Sequence, residues 1–189
     1  MAGSSNNRIY QYTINTTTGE LTEASSDYSR GFFPQGVKVH RDGDFLITHH
    51  GTTSSSGIFN FPVTASGAMG TSTSVTHSLG AGARVYDFAF HPTLDVAYAI
   101  GYSTAKITMF TVDRTLNTVT ETGTPLTMTG TFPMDIAIDP TGKVLLVANN
   151  GSDQISVFNI DSTTGVLTAA STPTYTVGDS PQTIVFASH

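Results

Sequence analysis

Asp87 and Asp135 stand 48 residues apart, each opening a short alternating run, Asp87-Phe-Ala-Phe90 and Asp135-Ile-Ala-Ile138. Two carboxylates delivered to one place by equivalent elements can do acid–base work or hold a cation. The competing role is structural: each accepts hydrogen bonds from a neighbouring loop and fixes its geometry. Arg84, three residues before Asp87, either neutralises that carboxylate or meets an anion. His49 and His50 add imidazoles. As neighbours on a strand they point to opposite faces, so they do not both ligate one metal ion. His77, further along, comes with no carboxylate at zinc-site spacing. Neither a metal nor a cofactor is expected. Tyr86, Asn149 and Asn150 are the candidates for ligand contact. Nucleophile elbows, phosphate loops and His-Glu-x-x-His are absent. Asp42, Asp44 and Asp153 form acidic loops without calcium-loop spacing.

The elements that must position these residues are strands, and they repeat. Val144–Ala148, Ile155–Ile160 and Val166–Ala170 are alternating apolar runs. They are cut by Asp-Pro-Thr-Gly, Asn-Asn-Gly-Ser-Asp and Asp-Ser-Thr-Thr-Gly, the turn chemistry of antiparallel hairpins. The marker isoleucines Ile9, Ile58, Ile107 and Ile155 recur at intervals of 49, 49 and 48. A second set, Val37-Lys-Val39, Phe88-Ala-Phe90, Ile136-Ala-Ile138 and Ile184-Val-Phe186, recurs at 51, 48 and 48. An all-β repeat of this length with four short strands is a propeller blade.

The expected architecture is therefore an all-β propeller of about four four-stranded antiparallel blades. Within each, strand A carries the second marker and lines the channel, B follows the His/Asp-Pro turn, C carries the isoleucine, and D is outermost. Gly36, Asp87, Asp135 and Thr183 are equivalent positions at the start of strand A. His49-His50 ends strand B where the fourth unit has Asn149-Asn150. His40 and His91 cap A–B turns on the other face. The blades span 35–83, 84–132 and 133–181, with one blade split between 1–34 and 182–189. Met1 aligns with Val147 and His189 with Thr141, which places both ends inside one hairpin.

Composition removes several function classes. Eight Lys and Arg against fourteen Asp and Glu, net charge −6, supply no basic footprint for nucleic acid. No apolar run reaches a membrane span, and Met1 is not followed by an apolar leader. Cysteine is absent, so disulfides and thiolate metal sites are too. The Ser/Thr-rich, Lys-poor surface points to an extracellular or cell-surface setting, with the cytoplasm as the alternative. Asn15 and Asn150 stand in glycosylation sequons but serve as turn residues. Tyr28, Phe32, Phe33, Tyr86, Tyr102 and Phe132 fall near the D–A and B–C connections, where they pack between blades or present an aromatic surface.

Phe90-His-Pro92, Ile138-Asp-Pro-Thr-Gly-Lys143, Leu145-Leu-Val-Ala-Asn149 and Ile155-Ser-Val-Phe158 with Thr164-Gly-Val-Leu-Thr168 carry a resemblance. These blades resemble those of the lactonase-type seven-bladed propellers, the family of 6-phosphogluconolactonase and carboxymuconate cyclase. They share Val-Ala-Asn and Gly-Ser-Asp features with YVTN-type surface repeats. The resemblance implies a propeller fold and a lactone-hydrolysing site around Arg84, Asp87, Asp135 and His49 or His50. Members tend to carry Pro-Arg at the D–A junctions, where arginines hold an anionic substrate. Here the junctions read Pro34-Gln35, Ala83-Arg84, Pro133-Met134 and Pro181-Gln182, so Arg84 alone is retained. The expectation that follows is a non-catalytic repeat module for binding or self-assembly, a homo-oligomer joined through the incomplete blade, with a small-molecule or glycan ligand. The alternatives are a lactonase-like hydrolase acting on a sugar or carboxylate lactone, and a piece of a longer seven-bladed ring.

Overall fold

The computed structural model describes the backbone of residues 2–3, 8–29, 34–51 and 56–187. Every regular element among them is a β-strand, and no helix is long and apolar enough to cross a membrane. The first sheet has three strands, β1 (Ala2–Gly3), β2 (Arg8–Ile14) and β3 (Leu21–Ser29). The second holds β4 (Pro34–Val39), β5 (Phe45–Gly51), β6 (Ser56–Pro62) and β7 (Thr73–Val75). The third holds β8 (Val85–Phe90), β9 (Val96–Gly101), β10 (Lys106–Asp113) and β11 (Thr118–Thr127). The fourth holds β12 (Pro133–Ile138), β13 (Val144–Asn149), β14 (Gln154–Ile160) and β15 (Leu167–Thr176). All pairings are antiparallel between sequential strands, as local turn chemistry dictates.

The turns close through side chains at equivalent places. Asn15, Asp113 and Asp161 each accept two backbone N–H groups from the residues two and three further on. Asp139 does the same work in an A–B turn, accepting from Thr141, Lys143 and Val144 N–H. Desolvation pushes its carboxyl up, but the Thr141 hydroxyl and the three backbone N–H groups together hold it below the usual carboxylate range. Asn15 thus serves its turn, as the sequence implies.

The sheets pack face to face in series. Phe45, Ile47 and Ile58 of the second sheet meet Phe88, Ala97, Ala99 and Phe110 of the third. From the other face of the third, Tyr98, Ile100 and Ile107 meet Ile136, Leu145, Val147 and Phe158 of the fourth. β9 is buried along its whole length because successive side chains feed both cores. A smaller core joins Ile9 to Leu46, Phe61 and Met69. Among the described residues no core cluster joins the fourth sheet to the first. The innermost strands β4, β8 and β12 lie side by side.

The register Ala2↔Ile9 and Gly3↔Arg8 repeats Ala148↔Ile155 and Asn149↔Gln154, so β1 is the end of a strand B. Residues 181–187 form no strand and are not paired with β1. They lie instead beside β12, where Ile184 N–H donates to Asp135 Oδ2 (2.6 Å).

Candidate functional site

Asp87 is the node of the inner surface. It sits on β8 and is only 7% exposed, yet it touches the sheets on both sides. Lys38 of β4 places its ammonium 2.9 Å from Oδ1 and 3.2 Å from Oδ2. Ile136 N–H of β12 donates to Oδ2 at 3.3 Å. His49 of β5 brings Nε2 to 3.5 Å from Oδ1. Burial pushes the carboxyl up to about 6, helped by a hydrogen bond with Asp135 and opposed by Lys38.

His49 is held as a neutral ring. Its Nδ1 donates to Val85 O at 3.3 Å, which leaves Nε2 as an acceptor turned toward Asp87, buried and without a hydrogen-bond partner. Desolvation drops its pKa to about 3, and Lys38 adds to the drop. The ring fits only because residue 36 is glycine: a Cβ there would lie 2.2 Å from His49 Nε2. That glycine occupies the place where the next two repeats carry Asp87 and Asp135.

Asp135 repeats the geometry of Asp87 one sheet on. Its Oδ2 accepts Ile184 N–H at 2.6 Å and Thr183 Oγ1–H at 3.0 Å. Both aspartates therefore clamp the start of the following inner strand, which is the structural role weighed against acid–base work.

The other candidates fall elsewhere. Arg84 does not neutralise Asp87; its guanidinium lies 4.8 Å over the Tyr102 ring, and Lys38 takes the carboxylate. His50 faces away from Asp87, with Nε2 3.2 Å from Thr48 Oγ1 and its ring edge-on to Phe59. Pairing of Pro34 with His50 and Pro133 with Asn149 makes those two equivalent, so the His49-His50 alignment with Asn149-Asn150 is one position out. Asn149 is buried and donates to Ser156 Oγ at 2.8 Å, which makes it a packing residue. Asn150 N–H donates to Phe132 O at 3.1 Å, and Tyr86 stacks on Tyr102. Phe32 and Phe33 lie outside the described residues.

At the far end of β4, His40 Nδ1 lies 3.1 Å from Asp44 Oδ1 and 3.8 Å from Asp42 Oδ2. Arg114 already supplies a cation there, 2.5 Å from Asp42. His91 caps its own turn, accepting Thr93 and Leu94 N–H at Nδ1, and donates through Nε2 to Gly142 O of the next sheet.

Lys38 is the residue that the sequence reading missed. A signal was present: it is the one charged residue at the middle of the strand-A triplets, where the others carry Ala89, Ala137 and Val185.

Comparison with known proteins agrees with this architecture. The chain matches a family model described as lactonase, 7-bladed beta-propeller, over residues 2–124 and 102–186. A 6-phosphogluconolactonase-like protein of Bacteroides fragilis superposes with TM-score 0.78 at 23% identity, covering 96% of this chain and 52% of that one. A similar protein of Bacteroides uniformis gives 0.81 at 22%, covering 94% and 51%. A protein of Desulfotomaculum acetoxidans gives 0.77 at 15%, covering 98% and 55%. No curated protein matches the chain. The chain spans about half the length of these solved structures. With the family model matched along almost all of its length, the chain belongs to the lactonase family of seven-bladed β-propellers.

Proposed function

We propose that this chain forms the reactive wall of a lactonase-type ring and hydrolyses a sugar or carboxylate lactone. The observation that carries the reading is the Asp87 carboxyl, raised to about 6, held between the Lys38 ammonium and the neutral His49 ring. Above pH 6 such a carboxylate is ionised and still basic enough to take a proton from water. The oxygen of that water bonds to the lactone carbonyl carbon. Lys38, a third exposed on the channel side, stabilises the oxyanion that forms. Collapse breaks the ring C–O bond, and the proton held by Asp87 passes to the leaving alkoxide. The product is a hydroxy acid, and Asp87 is ionised again.

A panel of sugar and dicarboxylic lactones, followed by acid release, tests this. The wild type should open at least one of them, and Asp87→Asn should lose about a hundredfold or more of that rate. No turnover by the wild type, or equal turnover by both proteins, would sink the reading.

A second reading, self-assembly, has its own observation. The contact of Ile184 N–H with Asp135 repeats that of Ile136 N–H with Asp87, so residues 183–186 stand where an innermost strand begins. Val185 there is 84% exposed, and the sheet β1–β3 has no innermost strand among the described residues. An unpaired edge and an unpaired strand are complementary. Joined between copies, they would make a ring from more than one chain.

A further inference from the structure

His40, Asp42 and Asp44 lie on the turn that joins β4 to β5, and their ligand atoms all fall within 4.8 Å of one another. The repeat supplies an internal control for this group. His91 opens the equivalent turn of the third sheet and spends both nitrogens on backbone. Its Nδ1 accepts Thr93 and Leu94 N–H, and its Nε2 donates to Gly142 O. His40 spends neither nitrogen in that way. Its ring is buried, stacked on Phe45 at 4.6 Å and edge-on to Phe90 at 5.2 Å, and Nε2 has no hydrogen-bond partner. Nδ1 is the polar outlet that this packing leaves. It is aimed at carboxylates, 3.1 Å from Asp44 Oδ1 and 3.8 Å from Asp42 Oδ2.

The turn itself does not call for the ring. It closes through Gly43 N–H to His40 O at 2.9 Å, with Gly43 at a φ of 75°. What the buried ring supplies is a nitrogen donor of fixed direction beside two carboxylates, each about a third exposed. Among the described residues one cation pairs with them, Arg114, whose Nη2 is 2.5 Å from Asp42 Oδ2. Arg41, next to His40, is turned to Asp95 instead. Arg114 comes from the third sheet on a half-exposed side chain, and a single exposed ion pair of that kind is readily exchanged.

We propose that this turn is a zinc site, in which His40 Nδ1, Asp42 Oδ2 and Asp44 Oδ1 bind Zn2+ and Arg114 leaves Asp42 as the ion arrives. One imidazole and two carboxylates suit zinc, and water completes the shell on the exposed side. A tetrahedral zinc ion with bonds of about 2.0–2.1 Å sets its ligand atoms roughly 3.3 Å apart. The separations of 3.1 and 3.8 Å around His40 Nδ1 lie on either side of that value. Two carboxylates balance the charge of the ion, so Arg114 is no longer needed as their counter-charge. Zinc thus trades an ion pair between the second and third sheets for a cross-linked turn. The site is distinct from Asp87 and does not depend on lactone hydrolysis.

Calorimetric titration of chelator-stripped protein with Zn2+ alone tests the assignment. Wild type should bind one ion at about 10 µM. Arg114→Gln removes the competing cation and should tighten binding about tenfold. Asp42→Asn should weaken it about tenfold or more, since a ligand is lost. Both changes are at exposed side chains, so neither asks the core to repack. His40→Gln should abolish binding, with circular dichroism confirming that the variant is folded. No saturable binding by the wild type, wild-type affinity in Asp42→Asn, or no tightening in Arg114→Gln would overturn the proposal.

Discussion

Asp87 is held by groups from three sheets, and its titration reports all of them. Its folded pKa of about 6 lies above the ordinary 3.8, because burial disfavours the charged form. A carboxyl raised in this way stabilises the fold while protonated; that contribution is complete below pH 3.8 and is lost as the pH rises through 6. His49 acts in the opposite sense. Its pKa falls from 6.5 to about 3, so its contribution is complete above 6.5 and is lost as the pH falls toward 3. Urea unfolding of the wild type and of His49→Gln at pH 7 and pH 4 isolates this contribution: the variant should lose less stability on acidification. An equal loss would show that His49 is not the buried neutral base described here. Lys38→Met removes the ammonium that opposes the rise of Asp87, so the carboxyl midpoint seen by 13C NMR should move above 6. A midpoint at or below 6 would contradict the ion pair. Gly36→Ala should cost about 1–3 kcal/mol in chemical unfolding, since its Cβ meets the His49 ring.

At the scale of strands and turns, the repeat depends on a few buried bonds between sheets. Tyr98 O–H of β9 donates to Gly165 O in the C–D turn of the fourth sheet at 2.5 Å. Tyr98→Phe leaves that carbonyl short of a partner and should cost about 1–2 kcal/mol, read from the urea midpoint at constant slope. An unchanged midpoint would mean that the bond adds nothing to the stacking of these sheets. Strand order and turn position were legible in the sequence because both are local: alternation marks the strands, and Asn15, Asp113, Asp139 and Asp161 close turns within five residues. The partners of Asp87 were not. Lys38 and Ile136 each lie 49 residues away, so the repeat identified equivalent positions without saying what crosses between them. Arg84 shows the same limit: its charge suggested Asp87, while its left-handed backbone carries it to Tyr102. The pairing of His50 with Pro34 and of Asn149 with Pro133 sets the histidine register one position away from the sequence alignment, and alternation alone does not reveal it.

At the scale of the whole molecule, four sheets stack in series with cores only between sequence neighbours among the described residues. The chain spans about half the length of the solved structures it superposes on. If residues 183–186 complete a β1–β3 sheet of a second copy, light scattering should show a mass above that of one chain, falling on dilution. Val185→Asp should push it toward a single chain, and a concentration-independent monomer would exclude this closure. Hydrolysis at Asp87 remains the central claim, and its pH dependence tests it most directly. Lactone opening by the wild type should rise with pH through a midpoint near 6 and then level, and Asp87→Asn should lack that limb. A rate that is flat across pH 6, or one that follows the same limb in Asp87→Asn, would contradict the assignment.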